Sequence, residues 1–309
     1  MAEGAITRPA GLTRRRAVRR ARLPRVSRWQ AAPVTAALLV FSGYPLVYLV
    51  GLALTESTLA RPLQSWVGSD NFRNALDNEI FTGSLWRSTL FAVLAAAGQL
   101  VIGTGLALAL AARARRLGLL GGLLLLPLVT PPVMVGVAWK LLLAPVGGAV
   151  NGTLALVGLP AVNPLGDERG AFWTLVVIDT WQWTPFVVLL VYAALLGVPE
   201  ELREAAVLDG AGHWRLLVSV VLPYLRPALL AVFLLRLVGG FKVFDIVYVV
   251  TAGGPGAATN TSTYEIQRTA LESFQVGTAA AETLVFSVMV GAVATIVALV
   301  RRRAVRAER

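Results

Sequence analysis

Apolar runs of about twenty residues recur along this chain, and they restrict its fold more than any other feature. Six are readable, at 33–54, 85–110, 119–143, 171–196, 227–250 and 278–300. At a rise of ~1.5 Å per residue, each is long enough to cross the ~30 Å hydrocarbon core of a bilayer. Hydrocarbon offers no water to backbone N–H and C=O groups, so such segments must satisfy themselves as helices. With 56% hydrophobic and 15% charged residues over 309 positions, the composition is too apolar for an ordinary soluble domain. The expected fold is an all-α membrane protein of six transmembrane helices. Gly121, Gly122, Pro127, Pro131 and Pro132 make the third run irregular without disqualifying it.

Charge sets the expected orientation. An even number of crossings puts both termini on one side, together with the loops near 111–118 and 199–226. That side carries twenty of the 28 basic residues, nine of them Arg within residues 1–30, against five on the other side. By the positive-inside rule both termini are expected to be cytoplasmic. The net charge of +11 is therefore a topology signal rather than a sign of nucleic-acid binding. Residues 1–30 read as an Arg-rich cytoplasmic tail held near anionic membrane lipids. They do not read as a nucleic-acid arm or a twin-arginine signal. The apolar run after this head is too long for a signal-peptide core and lacks a persuasive A-x-A site, so it should stay uncleaved. Residues 31–303 form the expected six-helix domain and 304–309 a second cytoplasmic tail. The outer loops at 56–84, 144–170 and 251–277 are too short for independent cores.

Residues 201–223, ELREAAVLDGAGHWRLLVSVVLP, break this apolar pattern and read as a short exposed helix. Pro199 suits the first helical position, and Glu200, Glu201 and Glu204 favour the positive end of the helix dipole. Leu202, Ala205, Ala206 and Asp209 share one face. Two alanines there let another surface approach closely. Gly210 and Gly212 then stop the helix. A plain amphipathic helix at the membrane surface would not account for the small residues, the glycines and the returning Leu222-Pro223 together.

The order Glu204-Ala205-Ala206, Asp209-Gly210, Leu222-Pro223 resembles the cytoplasmic EAA loop of permease subunits in binding-protein-dependent ABC importers. Phe244-Asp245 with Tyr248, and then Thr251-Ala252-Gly253-Gly254-Pro255, resembles an ending common in carbohydrate-uptake permeases. It is more typical of the subunit resembling the first permease of maltose and glycerol-3-phosphate importers. Trp66-Val67-Gly68 with Asn71-Phe72, and Trp181-Gln182-Trp183-Thr184-Pro185-Phe186, are similar to further segments of that family. His213-Trp214-Arg215 fits its pattern loosely.

The resemblance implies a type I ABC importer permease fold in a bacterial plasma (inner) membrane, crossed several times, with a coupling loop at 199–223. It implies a second homologous permease, two ATP-binding subunits that carry the ATP and Mg, and an extracytoplasmic solute-binding protein. Glu204, Ala205, Ala206, Asp209 and Gly210 would form the ATPase-coupling segment. The alanines would give close packing, and Gly210 would set the angle between the short helix and the next segment. The implied solute is a carbohydrate: a sugar, a polyol or a glycerol-phosphate-like molecule.

The chain's own chemistry is consistent with a non-catalytic subunit. It has no G-x-x-x-x-G-K-[ST] sequence to cradle phosphates, no cysteine, and a single His213 without a ligand partner at useful spacing. Its serines lack a nucleophile's partners. No catalytic residues, resident cofactor or metal site are expected in it. Polar and aromatic groups inside spans invite a functional reading, because burying them in hydrocarbon is costly. Asp179, Trp181, Gln182, Trp183 and Tyr248 are the candidates for a solute path. The same residues could instead pack helix against helix, with Asp179 paired to a neighbouring span. Lys242 and Asp245, at i and i+3, could pair with each other. Lys140 could snorkel to the interface. Arg236 needs a partner, either Glu282 or a group on the second permease. Gly239-Gly240 could permit a bend or a close helix approach. The rival function is an ion-coupled secondary carrier. It would be expected to show inverted repeats, and 30–150 does not match 170–300.

Overall fold

A computed structural model describes residues 28–112 and 118–307 of the chain. The Arg-rich head up to residue 27, together with Arg113, Arg115 and Arg116, lies outside the described residues. The chain separates into two units at Val47 and Tyr48. The first holds α1 (Arg28–Leu38), a π-helical turn at Leu39–Gly43 and the start of α2 (Tyr44–Ala53).

The second unit is a helical bundle in which long apolar helices alternate with short ones. Its elements are α3 (Asp70–Asp77), α4 (Glu79–Ala111), α5 (Gly118–Val129), α6 (Pro132–Leu142) and α7 (Ala149–Leu156). They continue with α8 (Glu168–Leu196), α9 (Glu200–Leu208), α10 (His213–Leu216), α11 (Leu222–Phe241), α12 (Ser262–Leu271) and α13 (Val276–Ala307). Among the described residues the sole strand-like pairing is an isolated bridge between Thr55 and Trp66.

Five stretches are long and apolar enough to cross a bilayer, and a sixth exists if one bent helix pair counts as a span. That pair is the third apolar run. Its expected single crossing is broken into α5 and α6, which meet at 100°. The cause is local. Pro131 and Pro132 supply no N–H to the helix ladder, and each disfavours helical geometry in the residue before it. The fifth span also differs from the expected 227–250. It begins at His213, continues through a π-helical turn at Leu217–Val221, and ends at Phe241. The segment behind it turns away and closes as a π-helical turn at Val247–Thr251.

Helix ends are set by side chains. Asn78 caps α4 by accepting from the N–H groups of Ile80 and Phe81. Asp167 caps α8 through the N–H of Gly170. At the end of the bundle away from α9, Asn71 donates to the carbonyls of Ala53 and Thr55, each at 3.0 Å, so the Trp66–Phe72 motif ties down the chain after α2. Ser262, at the start of α12, meets Ser84 and Ser88 of α4 at 3.1 and 3.2 Å. Thr263 donates to the carbonyl of Val243, and Lys140 donates to that of Val249 at 2.9 Å. Lys140 thus holds the π-helical turn rather than snorkelling freely.

The central helices pack through small residues. Ala92, Ala95, Ala96 and Ala107 of α4 are all buried against α8, α11 or α13. A Cβ on Gly240 would stand 2.8 Å from the Cα of Ala92, and one on Gly103 would stand 2.6 Å from the Val187 side chain. Such close approach is how helices associate where no hydrophobic effect drives them together. Gly240→Val should therefore cost about 1–3 kcal/mol through overpacking. It should lower the melting temperature of the detergent-solubilised protein by roughly 2–10 °C. An unchanged melting temperature would mean that α4 and α11 do not meet there.

Candidate functional site

Three helices bring polar groups together in the middle of the bundle. Gln99 of α4, Asp179 of α8 and Arg236 of α11 are all buried. Gln99 Nε2 donates to Asp179 Oδ2 at 2.7 Å, and its Oε1 accepts from Arg236 Nε at 2.6 Å. Arg236 Nη2 lies 3.5 Å from the same Asp179 oxygen. The guanidinium also sits over the ring of Trp183, with Cζ 4.4 Å from the centroid. A carboxylate and a guanidinium in this setting are tolerable because each is both charge-paired and hydrogen-bonded. Arg236 thus finds its partners within this chain. Glu282, the partner considered from sequence, instead accepts from the Thr269 hydroxyl at 3.3 Å.

Asp179, Arg236 and Trp183 line a cavity of about 240 Å³, with Gln99 outside its lining. Gln182 and Trp183 line it beside Asp179, because positions 179, 182 and 183 share one face of α8. Gln182 Nε2 donates to the carbonyl of Thr130 at 3.1 Å, at the break between α5 and α6. Its Oε1 is buried with no hydrogen-bond partner. Lys242, Phe244 and Asp245 also line it. Lys242 and Asp245 do not form the expected i,i+3 pair. The helix on which that spacing depends ends at Phe241, so Lys242 and Asp245 are separated by non-helical backbone.

The remaining sequence candidates fall elsewhere. Trp181 points from the other face of α8, is 46% exposed, and meets Trp139 edge-on with centroids 5.7 Å apart. It lines a separate apolar groove of about 440 Å³ with Ile102, Leu106, Pro127 and Pro185. Tyr248 is 52% exposed and stacks on Phe244 at 5.5 Å, next to the polar cavity rather than in its lining. Gln99 was missed in the sequence. The signal was a single amide in the middle of an apolar run, the same kind of signal that singled out Asp179.

At the other end of the bundle α9 stands out from the helices. Pro199 occupies its cap rather than its first turn, and Gly210 ends it with φ of +76°. The N–H of Gly210 reaches Val207 O at 3.0 Å and that of Ala211 reaches Ala206 O at 2.9 Å, the paired bonds of a Schellman stop. A groove of about 400 Å³ runs along Glu200, Arg203, Glu204, Val207 and Leu208. Glu204 thus faces this groove, one step around the helix from Ala205. Leu208 and Trp214 are 87% and 77% exposed. This region is tied to the bundle by bonds from Arg203 Nη2 to the carbonyl of Leu195 at 3.4 Å and from the Tyr224 hydroxyl to the carbonyl of Gly197 at 3.0 Å. The first joins α9 to the end of α8, and the second joins α11 to the same junction.

This architecture is that of an ABC importer permease. A bacterial ABC transporter involved in the import of the acidic polysaccharide alginate matches it with a TM-score of 0.77 at 21% identity, covering 88% of this chain and 93% of that one. Residues 99–306 match the family model for the binding-protein-dependent transport system inner membrane component, and the chain belongs to that family. It is 33% identical over 227 residues to the trehalose/maltose transport system permease protein MalF of Thermococcus litoralis, covering 74% of this chain and 77% of that protein. It is 35% identical over 235 residues to the diacetylchitobiose uptake system permease protein DasB of Streptomyces coelicolor, covering 74% and 71%. The chain is accordingly an inner-membrane transport subunit, not an enzyme.

Gln99→Leu leaves Arg236 Nε without its acceptor in a buried site. The expected loss is about 1–3 kcal/mol, visible as a lower melting temperature in detergent. Wild-type stability in that variant would show that the cluster does not bind the three helices together.

Proposed function

We propose that this chain forms half of the pathway of an ATP-driven carbohydrate importer and receives its drive through α9. The observation that carries the reading is α9 itself: a nine-residue, mostly exposed helix with a fixed stop, bonded to the end of α8 at the junction to which α11 is also bonded. An ATP-binding subunit seated on Glu204, Ala205, Ala206 and Asp209 would push on α9 as it closes around ATP. The Arg203 and Tyr224 bonds would pass that displacement to α8 and α11, which carry Asp179 and Arg236 into the cavity wall. ATP and Mg belong to that partner.

The family supplies the remaining parts. A second permease forms the facing half, two ATPase subunits serve the pair, and an extracytoplasmic binding protein delivers the solute. The termini and α9 lie on the cytoplasmic side, and residues 31–303 form the membrane domain between two tails. Relatives named for trehalose/maltose and diacetylchitobiose support a carbohydrate solute. Gln182 and Trp183 suit one chemically, since sugars stack their C–H faces on aromatic rings while their hydroxyls hydrogen-bond. Asp179 stands in the same wall with Tyr248 beside it, while Trp181 lines the separate apolar groove.

Purification of the tagged protein from its native membrane should bring along an ATPase, a second permease and a binding protein, identified by mass spectrometry. In the reconstituted complex, Gly210→Pro or Ala206→Trp should abolish ATP-driven uptake while membrane insertion stays normal. Proline holds φ near about −65° and cannot adopt the left-handed conformation at 210. Normal uptake in both variants would end the docking role of α9.

A further inference from the structure

We infer that residues 144–166 form an interfacial anchor, a compact loop seated in the lipid of the bilayer surface on the side away from α9. The loop leads into α8, whose 29 residues span about 43 Å before α9 begins. No charged side chain occurs between Lys140 and Asp167. The neighbouring outer connections differ: 56–84 carries Glu56, Arg61, Asp70 and Arg73 among others, and 251–277 carries Glu265, Arg268 and Glu272. The surface of 144–166 is apolar as well. Val146, Leu156, Val157, Leu159 and Val162 are exposed, the first two to 91% and 87%. A contiguous apolar surface of this kind marks contact with a membrane or a protein rather than with water.

The internal bonding of the loop suits a place where water is scarce, since backbone groups there need partners within the protein. Asn151 Nδ2 donates to the carbonyls of Val162 at 2.9 Å and Pro145 at 3.2 Å, and its Oδ1 accepts from the N–H of Val162 at 2.8 Å. The Thr153 hydroxyl donates to the carbonyl of Ala149 at 2.8 Å. Both polar side chains of α7 thus serve the loop's own backbone and leave its apolar ones outside. Gly147 and Gly158, at φ of +76° and +73°, turn the chain on either side of α7.

Continuity identifies the occupant. The loop follows directly from α6, a helix of the membrane domain whose Met134 and Leu141 are also exposed, so one apolar outer surface runs from the span into the loop. A soluble partner that binds and leaves meets a surface with a polar rim, and an uncharged segment of this length supplies little of one. Apolar side chains on a monotopic element settle about 5–10 Å into the boundary between headgroups and acyl chains. Seated there, 144–166 anchors the end of α6 at the membrane surface.

The chain has no cysteine, so a single introduced thiol reports on a single place. Leu156→Cys and, in a separate protein, Val146→Cys are each labelled with an environment-sensitive fluorophore. Each is reconstituted, with the subunits that copurify with it, into phosphatidylethanolamine–phosphatidylglycerol vesicles. A label at Arg73→Cys on α3, where the side chain is 75% exposed, serves as the water-facing reference. Lipid carrying a nitroxide near the top of its acyl chain should quench both loop labels by about half or more, whereas aqueous iodide should quench them roughly fivefold less than the reference. Iodide quenching at either loop position as strong as at the reference would put the loop in water and overturn the inference. Protection from both quenchers would put it under a second permease or another protein, and overturns it equally.

Discussion

A carboxylate and a guanidinium cannot remain apart inside a bundle that excludes water, and this one constraint organises the centre of the molecule. Asp179 and Arg236 come from α8 and α11, and Gln99 from α4 bonds to both. Each of these helices is apolar enough to slide or rotate against its neighbours at little cost, since lipid and leucine are much the same environment. The polar cluster removes that freedom. It fixes the register of three helices at one level, with the close Gly240–Ala92 and Gly103–Val187 approaches on either side of it. Asp179 and Arg236 also line a cavity, so the interaction that holds the bundle together also sets the character of its interior.

The proposed coupling between the two ends would run through the same helices. The junction at Leu195–Gly197 is bonded from α9 through Arg203 and from α11 through Tyr224. Below it a continuous apolar core includes Val187, Val191, Leu195, Val221 and Leu225. A displacement at α9 therefore meets a packed interior that resists deformation rather than a loose loop that would absorb it. The helices that receive it are those that carry Asp179 and Arg236.

Much of this was legible in the sequence. Length and apolarity specify the crossings, and Gly210 reads as a stop because few other residues tolerate its backbone geometry. The Glu204-Ala205-Ala206 segment is readable for the same reason, since its residues answer to local rules. The contacts that stayed hidden depend on how helices face one another. Nothing local says that Arg236 meets Asp179 fifty-seven positions away rather than Glu282, or that Gln99 stands between them. Trp181 and Trp183 look alike in sequence, yet the 3.6-residue period places them on different faces with different surroundings. The Lys242–Asp245 pairing failed because it assumed a helix continuing past Phe241.

The break at Pro131-Pro132 has a mechanical consequence. A straight span transmits axial force like a rod, whereas two segments at 100° share no axis. The amide of Gln182 grips the corner itself, and Lys140 secures the far arm to the turn at Val249. A force along α8 would therefore meet the bent pair as a torque about its elbow and would turn the two arms differently although they are neighbours in the chain.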